Sequence, residues 1–255
     1  MNTWDDDISA RVFANFRQYL TGWDEAQPQA SEVDRFRSGL AAPQFNGVVR
    51  VRSSSSIEQA VATTRTHLAG VPWWWWVGPD SPEGTATALE QCGAAELTVV
   101  PVMVRPLDRA TEQGDAPTDL RIEEVGDLDR LTELVRTYRT SMGIPLGLEA
   151  DMVRIESKRE DNADIVRLAA VLDGRVVGTT VVITAQEVAG MFLVHVAEAH
   201  RRRGIGAALT AAALQVGRAR GMRLAALVAS PAGEPLYRRF GFTTVSHYRI
   251  FTVPA

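Results

Sequence analysis

The chain has 255 residues, 45% hydrophobic and 23% charged, with a formal net charge of −4. This composition excludes a disordered chain and gives no overall field for nucleic acid. The length suits one large domain or two of about 110 to 140 residues, each able to bury a core.

In the N-terminal half, Asp7–Thr21 reads as a helix, Gly47–Arg52 as a strand and Ile57–Ala69 as a helix. The run Val71–Val77, "VPWWWWV", is apolar and aromatic, as strands prefer. "PEGTATALEQCG" then reads as a helix with a glycine stop, and "AELTVVPVMV" as a strand or hairpin. The polar, aperiodic stretch Arg105–Asp119 is the linker candidate.

From Asp119 onward the signals sharpen. "LRIEEV" reads as a strand, and Asp127 caps a helix over Leu128–Thr140 whose Leu131, Leu134, Val135 and Tyr138 share a face. A second amphipathic segment follows at about Leu148–Arg159. "IVRLAAVLDGRVVGTTVVIT" reads as two strands joined by Asp173-Gly174, a two-residue hairpin signal. Val188–Val196 is a further apolar strand. "HRRRGIGAAL" opens a helix along Ile205, Leu209, Ala212 and Val216, stopped by Gly221. "MRLAALVA", "GEPLYRRFG" and "TTVSHYRIFTV" complete the order β-α-α-β-β-β-α-β-α-β.

The two halves carry a faint repeat. "WWWWVGPDSPEGTATALEQCGAAELTVVPVMV" and "LAALVASPAGEPLYRRFGFTTVSHYRIFTV" both read strand, Ser-Pro, Gly, helix, Gly, strand. Val77 answers Val228, Ser81-Pro82 answers Ser230-Pro231, and Gly93 answers Gly241. The tryptophans then fall on a strand homologous to Met222–Ala229. The expected role is sheet core plus packing against the other half; a substrate-facing aromatic wall is the alternative. A membrane belt would want flanking Lys or Arg, and the run has Val71, Pro72, Gly78 and Pro79 instead.

Arg201-x-x-Gly204-x-Gly206 turns the chain between an apolar strand and an amphipathic helix. Its glycines let backbone approach a ligand, and the unpaired N–H groups of a first helical turn form an anion site. Arg201, Arg202 and Arg203 add positive charge around a pyrophosphate. No Gly-Lys-Ser/Thr follows, and the spacing differs from the dinucleotide fingerprint.

With "RRRGIGAAL" and "LYRRFGF" in place, Asp119–Val253 resembles the GNAT superfamily of N-acetyltransferases. The first half looks like a degenerate second copy, so the whole resembles tandem GNAT proteins. The resemblance implies an α/β (α+β) fold of two GNAT-like domains, each a mixed, mostly antiparallel sheet flanked by helices, the N-terminal copy incomplete. The expected boundaries are 1–112, a linker at 113–118, and a catalytic domain at 119–255. It implies acetyl-CoA as co-substrate and a primary amine of a small molecule or peptide as acceptor. The diphosphate is expected on Arg201, Arg202, Arg203, Gly204, Ile205, Gly206 and Ala207. Val194, His195 and Val196 are expected to offer backbone groups to the pantetheine and thioester, with the Val196 N–H at the developing oxyanion. Tyr237 occupies the general-acid position; its plainer reading is a core tyrosine. Ser230 stands where many members have Asn, and Glu198 where a related pattern has Pro. The base is left open among His195, Glu198, Glu149, Asp151 and Glu156.

Ser53–Ser56 stands where a donor loop of the first half would lie, so one acyl-CoA per chain is expected. The single cysteine, Cys92, excludes an internal disulfide, and His67, His195, His200 and His247 lack metal-ligand spacing. An acidic start and the lack of a long apolar run predict a soluble, cytoplasmic protein that binds neither membrane nor nucleic acid. A homodimer is left open. The other function class is a catalytically silent acyl-CoA-binding module serving regulation or docking.

Overall fold

The computed structural model describes residues 6–24, 32–53, 56–108 and 116–253. Ser54, Ser55 and linker residues 113–115 therefore lie outside the described residues. The chain divides into two compact units, 1–102 with 244–255, and 103–243.

The first unit holds α1 (Asp6–Thr21), β1 (Val33–Arg37), β2 (Asn46–Val51), α2 (Ile57–His67), β3 (Trp74–Val77) and α3 (Thr85–Gln91). It also takes most of β10 (Thr243–Thr252) and the first part of β4 (Ala95–Pro106). Its strands run β1-β2-β3-β10-β4. β2 and β3 are parallel, and β10 pairs antiparallel with β3, setting Phe251 opposite Trp75 and Ile250 opposite Trp76. Gly47 permits the β2–β3 approach, since a Cβ there would fall 2.2 Å from the Trp74 carbonyl oxygen.

Trp75 and Trp76 of the tryptophan run are sheet core, and Trp73 and Trp74 are half-buried. Trp75 is fully buried among Val48, Leu89 and Phe251, with Trp73 packed on the same cluster. Trp76, on the opposite face, meets Phe16 of α1 and Tyr248 of β10 at ring-centroid distances of 5.4 and 5.7 Å. The packing against the second half of the sequence thus comes through β10, a strand the C-terminus lends to the first unit.

The second unit holds β5 (Arg121–Glu124), α4 (Leu128–Ser141), α5 (Glu149–Lys158), β6 (Ile165–Leu172), β7 (Arg175–Ala185), β8 (Val188–Val196), α6 (Ile205–Ala219), β9 (Leu224–Val228) and α7 (Glu234–Arg239). Its sheet runs β9-β8-β7-β6-β5, antiparallel except for the parallel β8–β9 pair, with the end of β4 beyond β9. Asp173 and Gly174 both adopt positive φ, +50° and +76°, which joins β6 to β7 as the hairpin signal implied. Asp127 accepts a hydrogen bond from the Arg130 N–H and caps α4. Leu131, Leu134, Val135 and Tyr138 are buried together on its inner face.

Strand–helix–strand segments recur as β3-α3-β4 and β9-α7-β10. Gly93 and Gly241 end their helices with φ of +83° and +78°. β4 is one twelve-residue strand running through Pro101, not a hairpin. Chain order therefore parts from spatial order at both ends of the 1–112 and 119–255 division. The end of β4 serves the second unit, and β10 serves the first. The described part of Arg105–Asp119 also starts as core. Leu107 is buried against Gly217, and its N–H and C=O bond to the Arg223 carbonyl and the Arg218 guanidinium. Among the described residues no helix is long and apolar enough to cross a membrane.

Candidate active site

The site begins where β8 parts from β9. The two pair in register from Val188↔Leu224 to Met191↔Leu227, and β8 then continues for five residues without β9. A bulge helps to turn it: Leu193 has φ of +49°, the β7–β8 register shifts between Thr179 and Val181, and the Thr179 hydroxyl donates to the Leu193 carbonyl at 2.7 Å. The Ala197 N–H bonds to the Val177 carbonyl. Backbone direction alternates along a strand, so the N–H groups of Val196 and Val194 point the other way, onto the edge β9 has left.

The chain then makes a 3-10 turn at Glu198–His200 and enters α6 through Arg202 and Gly204, at φ of +58° and +78°. Gly204 is the N-cap residue in left-handed backbone, where a side chain would be strained. The N–H groups of Arg202, Arg203, Gly204, Ile205, Gly206 and Ala207 have no acceptor among the described residues; the next one, Ala208, bonds back to the Gly204 carbonyl. Successive free amides at a helix N-terminus are the kind of donor set that suits an anion. A Cβ at Gly206 would lie 3.4 Å from Leu236 and 3.9 Å from Val196, so the loop, the end of β8 and α7 converge there. Arg201 is exposed and its Nε donates to the Val196 carbonyl at 3.2 Å, while Arg203 reaches the His200 ring at 3.2 Å.

Tyr237 is buried in the cluster on which Val194 packs, edge-on to Phe242 at 5.9 Å. Burial pushes its phenol up to about 12, so it keeps its proton far above neutral pH. Ser230 is exposed, and its hydroxyl accepts from the Gly233 N–H at 3.2 Å. His195 points to the face opposite Val194 and Val196, the face of its cross-strand partner Thr179. Desolvation, with the Arg201 charge second, lowers its pKa from 6.5 to about 4, so the half-buried ring is neutral at physiological pH.

The other carboxylates differ. Glu149 is clamped by Arg136 and Arg139, whose hydrogen bonds lower its pKa. Glu156 is fully buried, bound by Arg167 at 2.6 Å and by the Tyr138 hydroxyl at 3.3 Å. Asp151 pairs with Arg154 in solvent, and Glu198 is exposed on its 3-10 turn. The structure thus gathers Val194, Val196, Arg201, Gly204, Gly206 and Tyr237 around one open edge. The Leu193 bulge that opens this edge carries no sequence signature.

Residues 129–242, within the second unit, match the acetyltransferase (GNAT) family. This segment is a GNAT acetyltransferase domain. No protein of curated function matches the sequence. Among solved structures, a GCN5-related N-acetyltransferase from Kribbella flavida aligns with a TM-score of 0.73 at 17% identity, covering 97% of this chain and 96% of that one. A GCN5-related N-acetyltransferase from Sphaerobacter thermophilus gives a TM-score of 0.60 at 20% identity, over 81% of this chain and 71% of that one. A tandem GNAT protein from the clavulanic acid biosynthesis pathway gives 0.62 at 15% identity, over 98% and 97%. At these identities the likeness is one of fold, and it extends from the GNAT domain across both units.

Proposed function

We propose that the chain is an N-acetyltransferase with one active site, in the second unit, moving an acetyl group from acetyl-CoA to a primary amine of a small molecule or peptide. The observation that carries this reading is the run of six amides, Arg202–Ala207, without an acceptor among the described residues, beside the edge of β8 that β9 has left. The array suits a diphosphate, and the edge suits an extended amide-bearing arm that pairs with it as a strand would.

The amine nitrogen attacks the thioester carbonyl carbon, a C–N bond forms and the C–S bond breaks. The Val196 N–H faces the gap and would stabilise the negative charge developing on the acyl oxygen, a contribution often worth roughly 3–4 kcal/mol. Tyr237 donates its proton to the departing sulfur. With a pKa pushed up to about 12 it is a weaker acid than a free thiol near 8.5, so the transfer must be coupled to C–S cleavage. The proton lost by the amine goes to His195, whose neutral ring is free to accept it. Glu149 and Glu156 are held by arginines and are poor alternatives.

The test is Tyr237→Phe. The expected result is a kcat lowered by roughly 10²–10⁴-fold with acetyl-CoA affinity and thermal stability retained. A full kcat removes the acid role. Donor binding by the parent chain without thiol release, across a panel of amines, overturns the enzyme reading in favour of a silent acyl-CoA-binding module.

A further inference from the structure

Arg201 occupies a contradictory place. Its backbone begins the anion-binding loop, yet its guanidinium is turned back along β8, with Nε donating to the Val196 carbonyl at 3.2 Å. That carbonyl lies on the open edge of the strand, where an arm pairing with β8 would need an acceptor for its own amide N–H. In the free chain, therefore, an exposed side chain fills a position that the donor requires.

We propose, resting on the donor-site reading above, that Arg201 is a two-position residue. It guards the end of β8 in the free chain, and on donor entry it moves to the diphosphate, yielding the Val196 carbonyl to the pantetheine arm and withdrawing positive charge from His195. The energetics favour the exchange. The bond it leaves is a 3.2 Å contact to a neutral carbonyl in solvent, with only the donor charged; the bond it gains joins a guanidinium to an anionic acceptor, so that both partners are charged. The vacated carbonyl gains an amide partner, so no backbone acceptor is left bare.

The consequence falls on His195, one residue back along the strand. Arg201 is the charged group acting on it, second to desolvation. On the elements of that side, Glu133 of α4 bonds Arg130, Glu149 of α5 bonds Arg136 and Arg139, and Glu156 of α5 bonds Arg167 of β6 and the Tyr138 hydroxyl, and none of them acts on His195 as Arg201 does. When the guanidinium leaves, the imidazolium form of His195 becomes less unfavourable and the ring becomes a stronger base. The base is thus strengthened once the acetyl donor is in place. Arg201 acts through His195 and through the Val196 carbonyl, as a positioning residue.

The experiment is an NMR titration of Cε1-labelled histidines, with His195 assigned by its loss in His195→Gln, on the full chain free and saturated with CoA. Saturation is established independently by calorimetry. In the parent chain the His195 pKa is expected to rise by about a unit or more on CoA binding. In Arg201→Gln the free-chain value is expected to stand already near that level and to move little with CoA. 3′,5′-ADP, which lacks the diphosphate and the arm, is expected to leave the parent value in place. An unmoved parent value under proven saturation, or equal free-chain values in parent and Arg201→Gln, overturns the two-position role and leaves the donor site standing. Failure of the parent chain to bind CoA overturns the donor site itself and this role with it.

Discussion

The two units solve the same junction in opposite ways. In each, a parallel pair of strands runs together and then separates: β8 leaves β9 after Met191, and β2 leaves β3 after Val48. In each, the strand ends in valine and a helix follows. At the first unit's junction the Val51 N–H takes the Ser81 hydroxyl as acceptor at 3.2 Å. Arg50 and Arg52 are bound by Asp34, Arg17 of α1 is bound by Asp80, and Ser56 caps α2 by accepting from the Gln59 N–H at 3.1 Å. At the second unit's junction the repeat-equivalent Ser230 turns away to Gly233, and six amides have no acceptor among the described residues. An open edge and a bare helix start are expensive to leave unsatisfied. The first unit spends two of its junction amides on its own serines, and among the described residues the second unit offers no such partner to its six.

Breaking the open junction should give the largest effect. Gly204→Ala with Gly206→Val forces a side chain onto left-handed backbone and places β-branched bulk between Val196 and Leu236. Acetyl-CoA affinity is expected to fall roughly a hundredfold, equivalent to losing one or two charge-assisted hydrogen bonds. Calorimetry of the parent chain should give one site per chain, and two equivalent sites would end the contrast between the junctions.

What sequence could reveal follows from how local each device is. The Asp173-Gly174 turn, the Asp127 cap and the α6 glycine entry are written in adjacent residues, and all three stand in the structure. β1 escaped because its register shifts between Asp34 and Arg35, which buries Val33 and Phe36 three residues apart and erases the two-residue alternation. The exchange of β4 and β10 between units depends on pairing partners far away in the chain, so no local pattern marks it. The same holds within the site. R-x-x-G-x-G was legible, whereas the Leu193 bulge and the capture of Glu149 and Glu156 by arginines are tertiary facts.

The tryptophan run offers the next test, on stability. Trp75 is fully buried between β2, α3 and β10, and its replacement by Ala should cost about 3–5 kcal/mol. Trp75→Phe should cost much less, because the indole N–H is buried with no hydrogen-bond partner among the described residues and its loss removes an unsatisfied donor. Denaturant unfolding measures both. An unchanged midpoint for Trp75→Ala would return the run to the role of a substrate wall.

The smallest effect is the most discriminating, because it compares one residue type at equivalent positions of the repeat. Removing the Ser81 hydroxyl leaves the N–H of buried Val51 without its acceptor, which should cost roughly 1–3 kcal/mol. Ser230→Ala removes a hydroxyl whose partner, the Gly233 N–H, also bonds to the Ser230 carbonyl at 2.9 Å, so its stability should change by less than about 0.5 kcal/mol. Denaturation midpoints at matched m-values give the comparison. Equal losses would mean that the Ser81 bond does not seal the first junction. Unequal losses in the expected order, with Ser81→Ala still binding a single CoA, would mean that unfastening one hydrogen bond does not restore a donor site. The first unit lacks the glycine entry as well, and its helix start already spends the Gln59 N–H on the Ser56 cap.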